Sequence, residues 1–203
     1  KNICIKKNIF FLFSFFEKSK ERLYNSVSLI SPNGKEVGKY RKINIPNEEC
    51  YQEKYYFNKS NNKHVVIDVG ICKIGLMICW DQWHYESYQQ LNKLGADLIL
   101  CPTSIGYAYK KSKCISLANE KEKWLNVITA NSLMINTPIV IANRTGCECS
   151  KNNMIKFWGS SFVTNSNGDI DFINKNNKSI SYITIDLSMK NLSKKIWGFY
   201  QKN

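Results

Sequence analysis

The sequence predicts an α/β (α+β) fold in which a mixed β-sheet is covered by helices. Short apolar or alternating segments recur along the chain, and two segments of helical character separate the strands in its middle. A third observation is size, because 203 residues with 43% hydrophobic content can bury a substantial core. We therefore expect residues 1–203 to form a single domain.

The first predicted strands lie in the N-terminal part of the chain. The apolar run at 9–16 follows a basic start and imitates a signal peptide. It is too short to span a bilayer as a helix, and we interpret it as a buried strand. A second strand at 26–31 ends before Asn33-Gly34, a pair typical of tight turns. Strands at 65–69 and 73–79 are close enough in the chain to pair as a hairpin.

The rest of the chain alternates helices with strands. The segment 84–95 has a helical pattern closed by a glycine, and a second helix is expected at 114–135, where Trp124, Leu125 and Ile128 share one face. Further strands are expected at 96–102, where Pro102 stops the strand, at 138–146, at 159–170 with a turn at Asn167-Gly168, and at 180–187. The Asn- and Lys-rich segments are interpreted as loop insertions: 58–63, 151–153 and 174–178.

The net charge of +13 raises the question of an acidic partner such as a nucleic acid. Of the 29 basic residues, 26 are Lys and only Arg22, Arg41 and Arg144 are Arg. Phosphate and base recognition favours the planar guanidinium, and these lysines are scattered through polar stretches. We interpret the charge as a property of the solvated surface and expect no nucleic-acid partner, although nucleic-acid binding remains an alternative that rests on charge alone.

The cysteines and histidines show no pattern of a disulfide framework or a metal site. Eight cysteines are present, but none forms a C-x-x-C pair, and His64 and His84 stand alone. Several cysteines lie in apolar runs, where a free thiol behaves as a small hydrophobic group. We expect a reducing, cytoplasmic compartment, no metal, and no membrane partner.

Cys79 lies in "GLMICWDQW", where an apolar strand gives way to a polar turn. A thiol between a strand and a helix lies near backbone N–H groups and the positive end of a helix dipole, which favours the thiolate. The N–H of Trp80 could then donate to an oxyanion. Position alone favours a packed structural cysteine, so a catalytic role for Cys79 depends on support from other residues.

Two other residues give Cys79 a chemical context. Lys42 lies in "GKYRKINIP" and Glu53 in "YQEKYYF". Each alone is typical of an ordinary surface residue or surface ion pair. Together with Cys79 they form an ordered Lys, Glu, Cys series, and the order of these three residues favours a catalytic role.

With these residues in place, the chain resembles the carbon-nitrogen hydrolase family, the nitrilase superfamily, and within it the N-carbamoylputrescine amidohydrolase branch. The motifs follow the family order over nearly the whole chain: "SFFEKSKERLYNSVSLISPNGKEVGKYRKINIP", "YQEKYYFN", "KIGLMICWDQWHYES", "GADLILCPTSIG", "IVIANRTG", "FWGSSFVTNSNGDI" and "WGFY". The resemblance implies a four-layer α-β-β-α sandwich with mixed sheets that is incomplete at its N-terminus. It also implies a homodimer or larger homo-oligomer.

The resemblance also implies roles for individual residues. Cys79 matches the nucleophile, Lys42 matches the lysine that stabilises the tetrahedral intermediate, and Glu53 matches a second, supporting glutamate. The family's general-base glutamate lies in a segment that these 203 residues do not contain. Glu17 matches a loop glutamate and is not expected to replace that base.

The resemblance implies hydrolysis of N-carbamoylputrescine to putrescine, carbon dioxide and ammonia through a thioester at Cys79, without a metal or organic cofactor. Trp83, Thr103 and Ile105 are expected as pocket walls, with ordinary packing as the alternative. Asn44 stands where the family commonly shows His, and Tyr85 where it shows Pro, so these two departures bear on substrate fit. Two other hypotheses remain: a sibling enzyme for another amide, carbamoyl amine or nitrile, and a non-catalytic family member.

Overall fold

The computed structural model describes residues 1–61, 63–174 and 180–188. Its helices are α1 (Asn2–Lys7), α2 (Tyr85–Lys93) and α3 (Glu120–Ile135), with short 3-10 helices at Glu53–Tyr55 and Cys79–Trp83. Its strands are β1 (Phe11–Ser19), β2 (Arg22–Ile30), β3 (Glu36–Arg41), β4 (Val65–Asp68), β5 (Lys73–Leu76), β6 (Leu98–Thr103), β7 (Gly106–Lys110), β8 (Lys113–Cys114), β9 (Ile139–Asn143), β10 (Cys147–Cys149), β11 (Asn153–Phe157), β12 (Phe162–Thr164) and β13 (Ile170–Ile173).

A six-stranded mixed sheet organises the molecule, in the order β13-β12-β9-β6-β5-β4. β5, β6 and β9 run parallel, and their neighbours on either side pair antiparallel. The parallel strands need crossover connections, and the chain supplies α2 between β5 and β6 and α3 between β6 and β9. The carboxyl ends of β5 and β6 lead into the Cys79 turn and the loop after Thr103.

The first core layer lies between this sheet and the two longer helices. α3 buries Trp124 and Ile128 at a four-residue spacing, which places both side chains on one face. α2 buries Tyr88 and Leu91 against the same core and ends before Gly95, whose φ of +84 is the left-handed conformation that suits glycine. The expected shared face of α3 is confirmed, with Leu125 partly buried at its edge.

A second core layer lies between the six-stranded sheet and the antiparallel sheet β1-β2-β3. Val27, Leu29 and Tyr40 from β2 and β3 pack with Ile74 and Leu76 from β5. Helices, mixed sheet and second sheet therefore stack in that order. This arrangement confirms the predicted α/β fold class with mixed sheets.

A four-stranded antiparallel sheet in the order β10-β11-β7-β8 was not predicted from the sequence. β7 and β11 approach closely at Gly106, where an added Cβ would lie 2.2 Å from the carbonyl oxygen of Lys156. Only glycine fits this backbone approach. The sheet carries Gly106 and Ala108 to the cavity beside Cys79.

Several predicted elements are confirmed with shifted bounds. The turn at Gly34 joins β2 to β3, and the predicted hairpin is β4 paired antiparallel with β5. The turn at Asn167-Gly168 joins β12 to β13. β6 continues through Pro102 to Thr103 instead of stopping at the proline.

Three predictions about elements were wrong. β1 is not a buried strand, because Phe11 and Phe16, which lie on opposite faces of it, are 44% and 57% exposed. Residues 114–119 precede the helix that begins at Glu120. Residues 180–187 form no strand, and Tyr182 is 92% exposed. An alternating pattern forms a strand only where a sheet edge is available to pair with it.

Parts of the predicted loops and motifs lie outside the described residues, namely Asn62, residues 175–179 and the "WGFY" motif at 197–200. Among the helices in the described ranges, none combines the length and apolar character needed to cross a bilayer.

Candidate active site

Cys79 occupies a strained position at the start of a short turn. β5 ends at Leu76, three residues earlier than the predicted strand, and Cys79 opens the 3-10 helix Cys79–Trp83. Its φ of +43 lies in the left-handed region, which costs a non-glycine residue about 1–2 kcal/mol. Cys79 is 8% exposed and therefore lies at the edge of the buried core. The turn leads directly into α2.

Lys42 and Glu53 form an ion pair beneath the surface. Lys42 follows the last residue of β3, and its side chain is fully buried. Its Nζ lies 2.8 Å from both carboxylate oxygens of Glu53, which opens the other 3-10 helix. Asn25 donates a further hydrogen bond of 3.2 Å to Glu53 Oε2. A buried ammonium is stable only when it is paired, and Glu53 supplies the partner.

The buried thiol of Cys101 is influenced by both Cys79 and Lys42. Burial raises the pKa of Cys101 well above its usual value, and the electrostatic effects of Cys79 and Asp81 raise it further, whereas a backbone hydrogen bond with Cys79 and the charge of Lys42 lower it. A cavity of about 420 Å³ is bordered by both Glu53 and Cys79. The structure therefore brings together the Lys, Glu and Cys residues that the sequence placed in order.

Asp81, two residues after Cys79, was not predicted from the sequence as part of the site. Its carboxylate is fully buried and accepts hydrogen bonds from Tyr40 Oη at 2.8 Å and from the backbone N–H of Ile78 at 3.0 Å. The backbone and side-chain N–H groups of Asn44 both donate to Asp81 Oδ1 at 3.0 Å. Burial raises the pKa of Asp81, and these hydrogen bonds lower it. Asp81 therefore ties the segment that follows Lys42 to the turn that carries Cys79.

Gln82 connects the same turn to the sheet and to α3. Its Nε2 donates to Thr103 Oγ1 at 3.0 Å, and its Oε1 accepts from Trp124 Nε1 at 2.9 Å. Tyr88 Oη donates to the Gln82 carbonyl at 2.7 Å. Thr103 lines the cavity that borders Glu53 and Cys79, whereas Trp83 packs against the helix-side core.

A second cavity of about 290 Å³ is also bordered by Cys79. Trp80 and Ile105 line it too, so two of the predicted site residues border the same space as the thiol. The rest of the lining is mainly apolar and acidic, with Tyr51 and Ser116 as its hydroxyl groups: Pro46, Gly106, Ala108, Ile115, Leu117, Glu48, Glu49 and Glu120. The volume is at the small end of the range of ligand pockets, which suits a small molecule.

Glu17 is engaged elsewhere. It lies on β1 and accepts hydrogen bonds from Arg41 and Lys39 and one of 2.6 Å from Ser26 Oγ. The guanidinium of Arg41 is the main reason that the pKa of Glu17 falls to about 2. A carboxylate so held is a poor proton acceptor at neutral pH, which agrees with the expectation that Glu17 is not the base.

Comparisons with known proteins agree along the length of the chain. Residues 1–194 match the family described as carbon-nitrogen hydrolase. A citrullinase of Francisella tularensis is 32% identical over 202 residues, covering 99% of this chain and 69% of that protein. An N-carbamoylputrescine amidase of Arabidopsis thaliana is 31% identical over 193 residues, covering 93% of this chain and 63% of that protein.

A solved structure shows the same fold at a similar level of identity. The crystal structure of a carbon-nitrogen hydrolase from Helicobacter pylori G27 gives a TM-score of 0.88 with 28% identity, covering 98% of this chain and 69% of that chain. The chain spans about two thirds of the length of the relatives it matches.

Proposed function

Because the chain belongs to the carbon-nitrogen hydrolase family, we propose that it hydrolyses N-carbamoylputrescine through a thioester at Cys79. The products are putrescine, carbon dioxide and ammonia. The predicted family resemblance is confirmed by the family match and by the solved structure. The observation that carries the proposal is the cavity bordered by both Cys79 and Glu53, whose carboxylate holds the buried Lys42 ammonium.

The first chemical step is attack of the Cys79 thiolate on the ureido carbon. This carbon is a poor electrophile, and dividing hydrolysis into acylation and deacylation lowers each barrier. The negative oxygen of the tetrahedral intermediate would be stabilised by the Lys42 ammonium and the backbone N–H of Trp80. The proton that the general base took from the thiol passes to the leaving nitrogen, and collapse of the intermediate then expels ammonia and leaves a carbamoyl thioester on the sulfur.

The second step returns the thiol. A water molecule loses a proton to a general base and attacks the thioester carbon. The carbamate that leaves decomposes to the amine and carbon dioxide. The family's general-base glutamate has no match among these 203 residues, and Glu17 is committed to Arg41, so the test of function uses the full-length protein.

Two substrates are supported by relatives of this chain. N-carbamoylputrescine amidases of Arabidopsis thaliana and Solanum lycopersicum are each 31% identical to it, and the citrullinase is 32% identical. Citrulline is the second candidate. Both compounds present a ureido group on a short methylene chain, so the same attack at Cys79 serves either one.

Domain organisation and setting follow from the same proposal. Both cores are built on opposite faces of one six-stranded sheet, which supports a single domain over residues 1–203. We further propose a cytoplasmic enzyme that works as a homo-oligomer.

The direct test measures ammonia release by the full-length protein from N-carbamoylputrescine, citrulline, simple ω-amides and nitriles. We expect turnover of N-carbamoylputrescine and its loss in Cys79→Ala with the far-UV circular dichroism spectrum unchanged. Cys101→Ala is the matched control, because this thiol is buried in β6. Ammonia release retained by Cys79→Ala would refute the nucleophile, and the absence of turnover with every compound would favour a non-catalytic family member.

A further inference from the structure

The cavity of about 290 Å³ beside Cys79 carries charge of one sign. Three carboxylates line it, and its lining includes no Lys, Arg or His. The three are Glu48, Glu49 and Glu120. A small cavity with one sign of charge attracts ligands of the opposite sign.

Glu120 differs from the other two carboxylates in its partners. Glu49 forms an ion pair with Lys110, and Glu48 is exposed and accepts a hydrogen bond from the backbone N–H of Asn47. Glu120 lies at the start of α3, and its Oε2 is buried without a hydrogen-bond partner among the described residues. A buried carboxylate oxygen without a donor is costly, so this atom gains from a donor supplied by a ligand.

Apolar side chains line the cavity together with Cys79 and Glu120. Ile105, Ala108 and Leu117 contribute this hydrocarbon surface. Tyr51 lines the cavity as well, and its hydroxyl donates to the Gly106 carbonyl and accepts from the Gly106 N–H, both at 3.0 Å. Burial raises the pKa of Tyr51, and the nearby charges of Cys79 and Glu120 add to the effect. The cavity thus places a reactive thiol, a hydrocarbon surface and a carboxylate around one space.

We propose that Glu120 binds the ammonium group at the far end of the substrate and thereby selects ureido compounds that carry a net positive charge. This inference rests on the proposed function, because the ureido group must lie at Cys79. The methylene chain then lies along Ile105 and Leu117. Charge at Glu120 determines which of the two candidate substrates the site accepts.

The two candidates differ by a single carboxylate. Citrulline has the carbon and nitrogen skeleton of N-carbamoylputrescine with a carboxylate on the carbon that bears the ammonium. In this cavity that carboxylate would approach Glu120 with no cationic side chain in the lining to neutralise it. Like charges repel in a partly desolvated site, and this repulsion excludes the zwitterion while the cation is retained.

The test measures binding to the full-length Cys79→Ala protein by titration calorimetry. The probes are N-carbamoylputrescine, citrulline, and butylurea, which has the same ureido alkyl chain without the ammonium. We expect N-carbamoylputrescine to bind about ten- to a hundredfold more tightly than either other compound, the range that a hydrogen bond to a charged group supplies. Adding Glu120→Gln removes that advantage and leaves the affinity for butylurea unchanged.

Glu122→Gln is the matched control, because Glu122 lies in the same first turn of α3 and is exposed. Equal weakening of N-carbamoylputrescine and butylurea by Glu120→Gln would overturn the inference, since that pattern reports a structural role. Citrulline binding as tightly as N-carbamoylputrescine would overturn it as well. Failure of the wild-type protein to turn over any ureide would refute the proposed function, whereas turnover without charge preference refutes the role of Glu120 alone.

Discussion

The hydroxyl of Tyr40 donates a 2.8 Å hydrogen bond to Oδ2 of Asp81 in the interior of the molecule. Tyr40 lies at the end of β3, two residues before Lys42, and Asp81 lies two residues after Cys79. The hydroxyl also accepts a 3.3 Å hydrogen bond from the backbone N–H of Ile43. Together with the two hydrogen bonds from Asn44 to Asp81 Oδ1, this contact links the lysine segment to the cysteine segment.

Tyr40→Phe should destabilise the protein and impair the site together. The change removes one of the donors to a fully buried carboxylate, and leaving such a group short of a partner costs about 1–3 kcal/mol. Urea denaturation checks the stability, and kcat for ammonia release checks the positioning of Lys42 against Cys79. The exposed Tyr85→Phe is the control and should change stability by less than about 0.5 kcal/mol. An unchanged kcat in Tyr40→Phe would show that the link is structural only.

Glu53→Gln should be more harmful to stability than loss of the whole ion pair. The Lys42 side chain is fully buried, so removing the Glu53 charge strands an ammonium in the core at a cost of about 3 kcal/mol. Adding Lys42→Met removes that stranded charge, and the double variant should recover part of the loss. A double-mutant cycle measured by urea denaturation gives the coupling energy. If the changes in the free energy of unfolding of the two single variants simply added up in the double variant, Lys42 and Glu53 would not be coupled.

Lys54→Met is the matched control for this cycle. Lys54 follows Glu53 in the same 3-10 helix but is exposed. Its replacement should change stability by less than about 0.5 kcal/mol. A comparable loss in this variant would assign the effect to the helix and not to the buried ammonium.

The pair of Glu17 with Arg41 predicts a pH dependence of stability. The pKa of Glu17 in the folded protein is lowered from 4.5 to about 2, chiefly by Arg41. Its contribution to the free energy of unfolding is therefore complete above pH 4.5 and is lost as the pH falls towards 2. After allowance for solvent screening, we expect this contribution to be about 1–2 kcal/mol. Glu17→Gln should therefore be less stable than wild type at pH 6 and nearly equal to it at pH 2. Thermal denaturation across this range measures the difference.

Glu21→Gln controls for a general charge effect, since Glu21 is exposed in the turn between β1 and β2. Its stability should follow that of the wild type at every pH. A Glu17→Gln difference that persists unchanged to pH 2 would contradict the linkage, because a protonated Glu17 and a glutamine are both neutral.

The sequence predicted those parts of the fold that local patterns control. Apolar runs, the turn glycines Gly34 and Gly168, and the spacing of Trp124 and Ile128 all act over a few residues, and the elements they predicted are present. The sheet that contains β7 and β11 was missed because its central pair, β7 with β11, joins residues more than forty positions apart and its strands show little alternation. Residues 180–187 alternate without a sheet edge to pair with.

The sequence predicted only part of the candidate site, because some of its contacts join residues that are far apart in the chain. Order along the chain indicated Lys42, Glu53 and Cys79, and the fold brings their segments together. Asp81 was missed although it stands inside the quoted motif, since nothing local distinguishes a buried carboxylate from a solvated one. Its partners Tyr40 and Asn44 lie 41 and 37 residues away. Glu120 was missed because its place beside the thiol depends on α3 and β7 meeting at one cavity.

Cys79→Gly should be more stable than Cys79→Ala, although neither variant turns over substrate. The φ of Cys79 is +43, which strains any residue with a Cβ and suits glycine. Glycine loses some of this advantage through its greater freedom in the unfolded chain, which leaves a net difference of about 0.5–1 kcal/mol in its favour. Cys101 lies in β6, so Cys101→Gly should be less stable than Cys101→Ala. Urea denaturation of the four variants measures both differences, and an alanine variant that is the more stable one at both positions would show that the backbone at Cys79 is unstrained.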